Sequence, residues 1–427
     1  MFKILLISSL VFGMSFSLLA DEPLQRTLSA ATVHDMLNKL DESSNATTNI
    51  WTSRSKSIDS AKNCKSGAFF PSLDQQEHLQ FIKRFEVPGD ERYYWMIGTS
   101  DSDGLDKYHG NLTIVRKETL NSSPCITWSE RLDEHSIMKG PIEQNGFDHP
   151  SHATIVDYSV PVMAITLNCF NVGKDRCNDA SDIKDRDHGT VYFVNLSNPK
   201  KPIVQNPLGW QPVRAILTHD DGSEEIKNIE EPDFFTMTKL NGRWYAALGD
   251  TNGTGWQSVR HNKLFVYDMG PNVNVNDIAS SLPKGLAGEP NYAMTNWMQT
   301  GSVNKVQGCE YVKTTHRGDL SASEQAERTY LLCTQGDRQP TWNDFYGKAV
   351  NPSNVLVYPE IGANKVYFID HDNSSPNGKV SFEETDDYNY CMFNAAGNFY
   401  IKDGKLQVDC TGWYWNDKLW WYHSELD

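Results

Sequence analysis

The residues of this chain best suited to chemistry stand in five short segments. They are His78 and Gln80, His149 and His152, Glu231 and Asp233, Gln307 and Glu310, and Asp387 with Asn389. Each pair lies in or just ahead of an apolar, strand-like run: EHLQFIKRF, DHPSHATIVDY, EEPDFFTMTKL, VQGCEYVKTT and DYNYCMF. Imidazoles and carboxylates supplied by separate strands can hold a divalent cation, and His78, His149 and Glu231 form the candidate metal set. Two carboxylates at one mouth, Glu231 and Glu310, can instead act as acid and base on a glycosidic bond. Gln80, His152, Asp233, Gln307 and Asn389 are the candidate binders of a small polar ligand. A plainer reading leaves all these groups lining a wet channel, bonded to ordered water. The chain has no His-Glu-x-x-His helix, Gly-x-Ser-x-Gly elbow, phosphate loop or dinucleotide fingerprint. Serine hydrolase, kinase and nicotinamide chemistry are therefore poor fits.

Such residues converge only if the chain repeats one unit around a common centre, and the sequence does repeat. A strand ending in a turn recurs as HGNLTIVRKE from His109, HGTVYFVNLSNP from His188, HNKLFVYDMGP from His261 and ANKVYFIDHDN from Ala363. Each is preceded by a second strand, at 92–104, 160–170, 243–255 and 328–340, and that one by the polar-headed segment described above. Segment 387–408 repeats the pattern in abbreviated form. A supersecondary unit reused at long period predicts an all-β propeller, of five blades on this count. Six or seven shorter blades are one alternative if the loops hide strands, and a two-domain β-sandwich is the competing fold. The aromatic C-terminus, GWYWNDKLWWYHSELD, is expected to be the last strand or hairpin of the closing blade.

Residues 1–20 place Lys3 before an apolar run that ends at Ala20, ahead of Asp21, which is the layout of a secretory signal peptide. The expected domains are then a signal at 1–20, a helical lead-in at 21–63 and the propeller at 64–427. Within the lead-in, Val33, Met36, Leu37 and Leu40 fall at helical spacing. A secreted or periplasmic location follows, with no membrane insertion after cleavage, because no later run approaches the roughly 20 apolar residues of a membrane helix. All eight cysteines (Cys64, Cys125, Cys169, Cys177, Cys309, Cys333, Cys391 and Cys410) fall in the exported part. An even number in an oxidising compartment favours disulfides. Sequential pairing would keep each bridge within one repeat. The net charge of −16 argues against nucleic acid and anionic membranes. The expected partner is a small polar ligand, a glycan or a protein, with a divalent cation as the candidate cofactor.

The run GTVYFVNLSNPKKPIV (189–204) resembles the strand–Asn/Asp-Pro-turn repeats of secreted bacterial β-propeller proteins. HLQ at 78–80 and HPSH at 149–152 resemble inner-strand motifs of the same group. EEPDFF at 230–235 is similar in texture to a Glu-Asp-Pro segment of five-bladed glycosidases, with Glu231 in place of Asp before Pro232. The resemblance implies a propeller with its site at the central funnel. It implies binding or hydrolysis there, without selecting between them.

Overall fold

The alternating apolar runs form strands, and the strands form up-and-down sheets. The computed structural model describes residues 22–28, 47–48, 51–57, 62–64, 77–101, 111–120, 122, 124–132, 149–168, 190–205, 213–218, 224–229, 232–240, 242–250, 263–281, 292–295, 306–314, 329–336, 353–358, 367–369, 379–380, 399–414 and 418–426. Five sheets of four or five strands follow one another along the chain. The first joins Glu77–Val87, Asp90–Asp101, Asn111–Lys117 and Cys125–Arg131, with Lys62–Asn63 in parallel on its outer edge. The second joins His149–Asp157, Val162–Asn168, Thr190–Asn195 and Ile203–Val204. The third joins Pro232–Leu240, Arg243–Asp250, Lys263–Gly270 and Tyr292–Thr295. The fourth runs Val306–Thr314, Thr329–Gly336, Ser353–Tyr358 and Tyr367–Ile369. The fifth runs Phe399–Lys402, Lys405–Tyr414 and Lys418–Leu426, and Trp51–Ser57 from the other end of the chain completes it.

Connections between adjacent strands are tight where the sequence supplies turn residues. Asp403 and Gly404 sit at positive φ (52° and 75°) between Lys402 and Lys405, as a two-residue hairpin demands. The first strands of successive sheets lie against one another: first on second, second on third, third on fourth, and the fifth sheet back on the first. Between the first two sheets, Phe81, Phe85, Met96 and Ile114 meet Ile155, Met163, Ile165 and Tyr192, all buried. Between the second and third, Val162, Ala164 and Phe193 meet Phe235, Met237, Trp244 and Tyr267, with Phe193 edge-on to Phe235 at 5.4 Å. Each large side chain buried this way contributes roughly 1.5–3 kcal/mol.

Two strand assignments change on folding. The repeats at 109, 188 and 261 supply third strands, but the fourth sheet takes Ser353–Tyr358 third and places the ANKVYFIDHDN run last, as Tyr367–Ile369. Both runs alternate, so periodicity does not rank them and only the pairing register does. In the fifth sheet the first described strand is Phe399–Lys402, beyond Asp387 and Asn389, which lie outside the described residues. The lead-in is extended where it is described, at 22–28 and 51–57, and the helix expected over 29–40 lies outside the described residues. The aromatic C-terminus forms the hairpin of the closing sheet. Cys64 is bridged to Cys125, tying Lys62–Asn63 to the first sheet, and the disulfide-bonded Cys309 stands opposite Cys333 in the register. Cys169, Cys177 and Cys391 lie outside the described residues.

Two glycines allow close approach rather than a turn. Gly98 lies opposite Phe81 and Gly249 opposite Phe234, and each aromatic ring covers its glycine so closely that a Cβ there would overlap the ring. Gly98→Ala is expected to cost about 1–3 kcal/mol by overpacking, read as a lowered denaturant midpoint. Adding Phe81→Leu should recover part of the loss. A neutral Gly98→Ala would contradict the packing described here.

Candidate ligand-binding site

The first strands of four sheets carry the same irregularity near their starts. The extra, unpaired residue of each bulge is Gln80 in the first sheet, Ser151 in the second, Asp233 in the third and Gln307 in the fourth. A bulge bends the strand and re-aims a side chain, and bulges concentrate beside functional sites. Here the extra residue is polar in all four strands and falls at the same register position near each strand's start. Gln80 and Ser151 are 4 % and 8 % exposed. Ahead of this belt stand His78, opposite Ser100, and His149, opposite Asn168. Glu231, like Asn389, lies outside the described residues.

Three residues after each bulge, at one deeper level, come Lys83, Thr154, Thr236 and Glu310. All four are buried. The Lys83 ammonium forms an ion pair with Glu310 and donates to the Phe399 carbonyl at 2.5 Å, so one group joins the first, fourth and fifth sheets. The Thr236 hydroxyl accepts from the Tyr311 amide at 2.9 Å, linking the third sheet to the fourth. This level is the floor beneath the belt.

Burial pushes the Glu310 carboxyl up to about 7, against the opposing pull of Lys83. His152, one residue past the Ser151 bulge, is wholly buried and edge-on to Phe234 at 6.3 Å. Burial, and then the charge of Lys83, hold its pKa well below the ordinary imidazole value, so it is neutral at pH 7. Neither of its ring nitrogens has a hydrogen-bond partner among the described residues.

The sequence-predicted residues thus separate by depth. Gln80, Asp233 and Gln307 fall together in the belt, Glu310 lies below it in an ion pair, and His152 lies between sheets. Among the described residues, no three His, Cys, Asp or Glu side chains are grouped to hold a metal ion. The sequence reading missed Ser151, Lys83, Thr154 and Thr236. The one available signal was the lysine set inside the apolar run QFIKRF.

No family model matches this chain, and no curated protein does. Among solved structures it is similar to the Trypanosoma rangeli sialidase in complex with sialic acid, at 10 % identity and a TM-score of 0.40 over 89 % of this chain and 60 % of the sialidase. It thus spans about 60 % of the sialidase's length. A protein solved as an RGII complex aligns at 9 % identity and a TM-score of 0.41, covering 92 % of this chain and 95 % of that protein. A glycosyl hydrolase from Bacteroides ovatus aligns at 12 % identity and a TM-score of 0.39, covering 82 % and 87 %. These are distant likenesses, and none carries a residue role to this chain.

Removing the cation from the floor should leave a buried carboxylate. Lys83→Met is expected to cost roughly 3–5 kcal/mol, measured by chemical unfolding at pH 8. Glu310 is raised from its ordinary 4.5, so its neutral form favours folding below 4.5 and that advantage disappears as pH rises through about 7. The Lys83→Met penalty should therefore shrink at pH 5, and Glu310→Gln in the same background should remove its pH dependence. An equal penalty at both pH values would refute the pairing.

Proposed function

We propose that this chain is an exported, five-bladed β-propeller that binds a hydroxyl-rich ligand, a glycan in the first instance, at the mouth where its first strands begin. The observation that carries this reading is the belt of four aligned bulges, with Gln80, Ser151, Asp233 and Gln307 at one level. Amides, a hydroxyl and a carboxylate both donate to and accept from sugar hydroxyls, and they lack the clustered positive charge that a phosphate ligand needs. The five consecutive sheets with adjoining first strands support the propeller reading, and the apolar segment closing at Ala20 supports export. The floor of Lys83 and Glu310 closes the site from below, and residues 22–28 cross the strand exits at the far end.

Hydrolysis at the same mouth, metal-assisted or with Glu231 and Glu310 as acid and base, is the alternative. No separate observation favours it, since Lys83 already engages Glu310 beneath the belt.

The test is titration of the purified protein with neutral and acidic oligosaccharides by calorimetry, after an array screen. Asp233→Asn and Gln307→Ala should each weaken the best ligand by about ten-fold or more, at one or two lost hydrogen bonds, with unchanged unfolding midpoints. The reading fails if no glycan binds saturably, or if both variants bind as the parent does. Release of reducing ends in the same samples would move the reading to hydrolysis.

A further inference from the structure

At the end away from the belt, five consecutive residues meet the exits of all five first strands. The Leu24 amide donates to Asp157 Oδ1 at 2.6 Å, and its carbonyl accepts from the Tyr158 amide at 2.9 Å, at the exit of the second sheet's first strand. Gln25 does the same for the third sheet, donating to the Met237 carbonyl at 2.7 Å and accepting from the Lys239 amide at 2.9 Å. Arg26 serves the first and fifth. Its guanidinium pairs with Glu86 and donates to Tyr400 Oη at 2.6 Å and to the Ile401 carbonyl at 2.9 Å. Thr27 and Leu28 then pair in parallel with Lys313 and Thr314 of the fourth.

The arginine site is built to fit its occupant. The guanidinium carbon lies 4.7 Å from the centre of the Tyr158 ring and 5.1 Å from that of Tyr400, so two aromatic faces, a carboxylate, a phenol and a carbonyl surround it. Burial would raise the Glu86 carboxyl, but hydrogen bonds from Tyr400 and Arg26 and the charges of Arg26 and Lys402 bring it down to about 2. Just inside lies a cavity of about 20 Å³, lined by Arg26, Thr154, Tyr158, Thr236 and Glu310 among others, with room for water and little else.

The partners of Arg26 stand 60 to 375 positions away in sequence. The docking surface for this segment therefore exists only once the sheets have come together. A segment with that property behaves as a ligand: one edge of it extends a sheet, its arginine fills a built cage, and the tether to the rest of the chain only raises its local concentration.

We propose that the exits of the five first strands form a peptide-binding groove specific for an extended, arginine-bearing segment, and that residues 22–28 are its resident ligand. This goes beyond ligand binding at the opposite mouth and does not depend on it. An extended peptide of the sequence Glu-Pro-Leu-Gln-Arg-Thr-Leu, read from residues 22–28, is the probe that fits.

The experiment uses the full chain with a protease site inserted between residues 29 and 46. The uncleaved form serves as the control for folding. After cleavage of the folded protein, the N-terminal fragment should co-elute with the remainder on gel filtration, and a labelled synthetic peptide of residues 22–28 should exchange into the complex. The same peptide carrying Arg26→Ala should bind about ten-fold more weakly or worse, since it lacks the charge-assisted bonds. Arg26→Lys should restore little, because an ammonium reproduces neither the fork nor the ring stacking. Immediate loss of the fragment from the cleaved parent would overturn the proposal, as would equal retention of the Arg26→Ala fragment. Unfolding on cleavage, read by circular dichroism, would overturn it too by making the segment part of the core.

Discussion

A single buried ammonium group organises the centre of this protein. Lys83 is wholly buried, pairs with Glu310 and donates to the Phe399 carbonyl, so among the described residues it ties together the first, fourth and fifth sheets. Taking an ammonium out of water costs several kcal/mol, and an incomplete set of partners would leave that cost standing. The pair therefore adds little to net stability but penalises an arrangement that leaves out the fourth or fifth sheet. It also sets the state of its neighbours: the same positive charge, on top of burial, keeps His152 neutral.

Above this floor the same backbone device recurs in four sheets. In each, one extra residue is inserted near the start of the first strand, and in the first and third the following aromatic ring lies over a glycine of the next strand. The extra residue is polar in each of the four. The candidate site and the scaffold beneath it thus share one local backbone feature.

The opposite end is closed by backbone pairing and side chains together. Trp51–Ser57 completes the fifth sheet through a full ladder of pairs, while residues 22–28 reach the five strand exits with paired bonds at Leu24 and Gln25, a two-residue parallel pairing at Thr27–Leu28 and one arginine cage. The two pieces come from the same end of the chain but join the fold in different ways. The first is held by cooperative pairing along seven residues. The second rests on Arg26, stacked on Tyr158 and Tyr400 and paired with Glu86.

Alternation and turn residues are local properties, so the strands, the repeat and the polar openings of the first strands were legible before folding. Gln80, Asp233 and Gln307 stood among the candidates on that basis, and the bulges bring all three to one level. Ser353–Tyr358 could not be ranked against Tyr367–Ile369, since two equally alternating runs differ only in what they pair with. Long-range pairing separated Gln307 in the belt from Glu310 in the floor, three residues apart on one strand. It also gave Lys83 and Arg26 their roles. Neither role can be read from sequence, because the partners of each lie on strands far along the chain and meet it only in the folded protein.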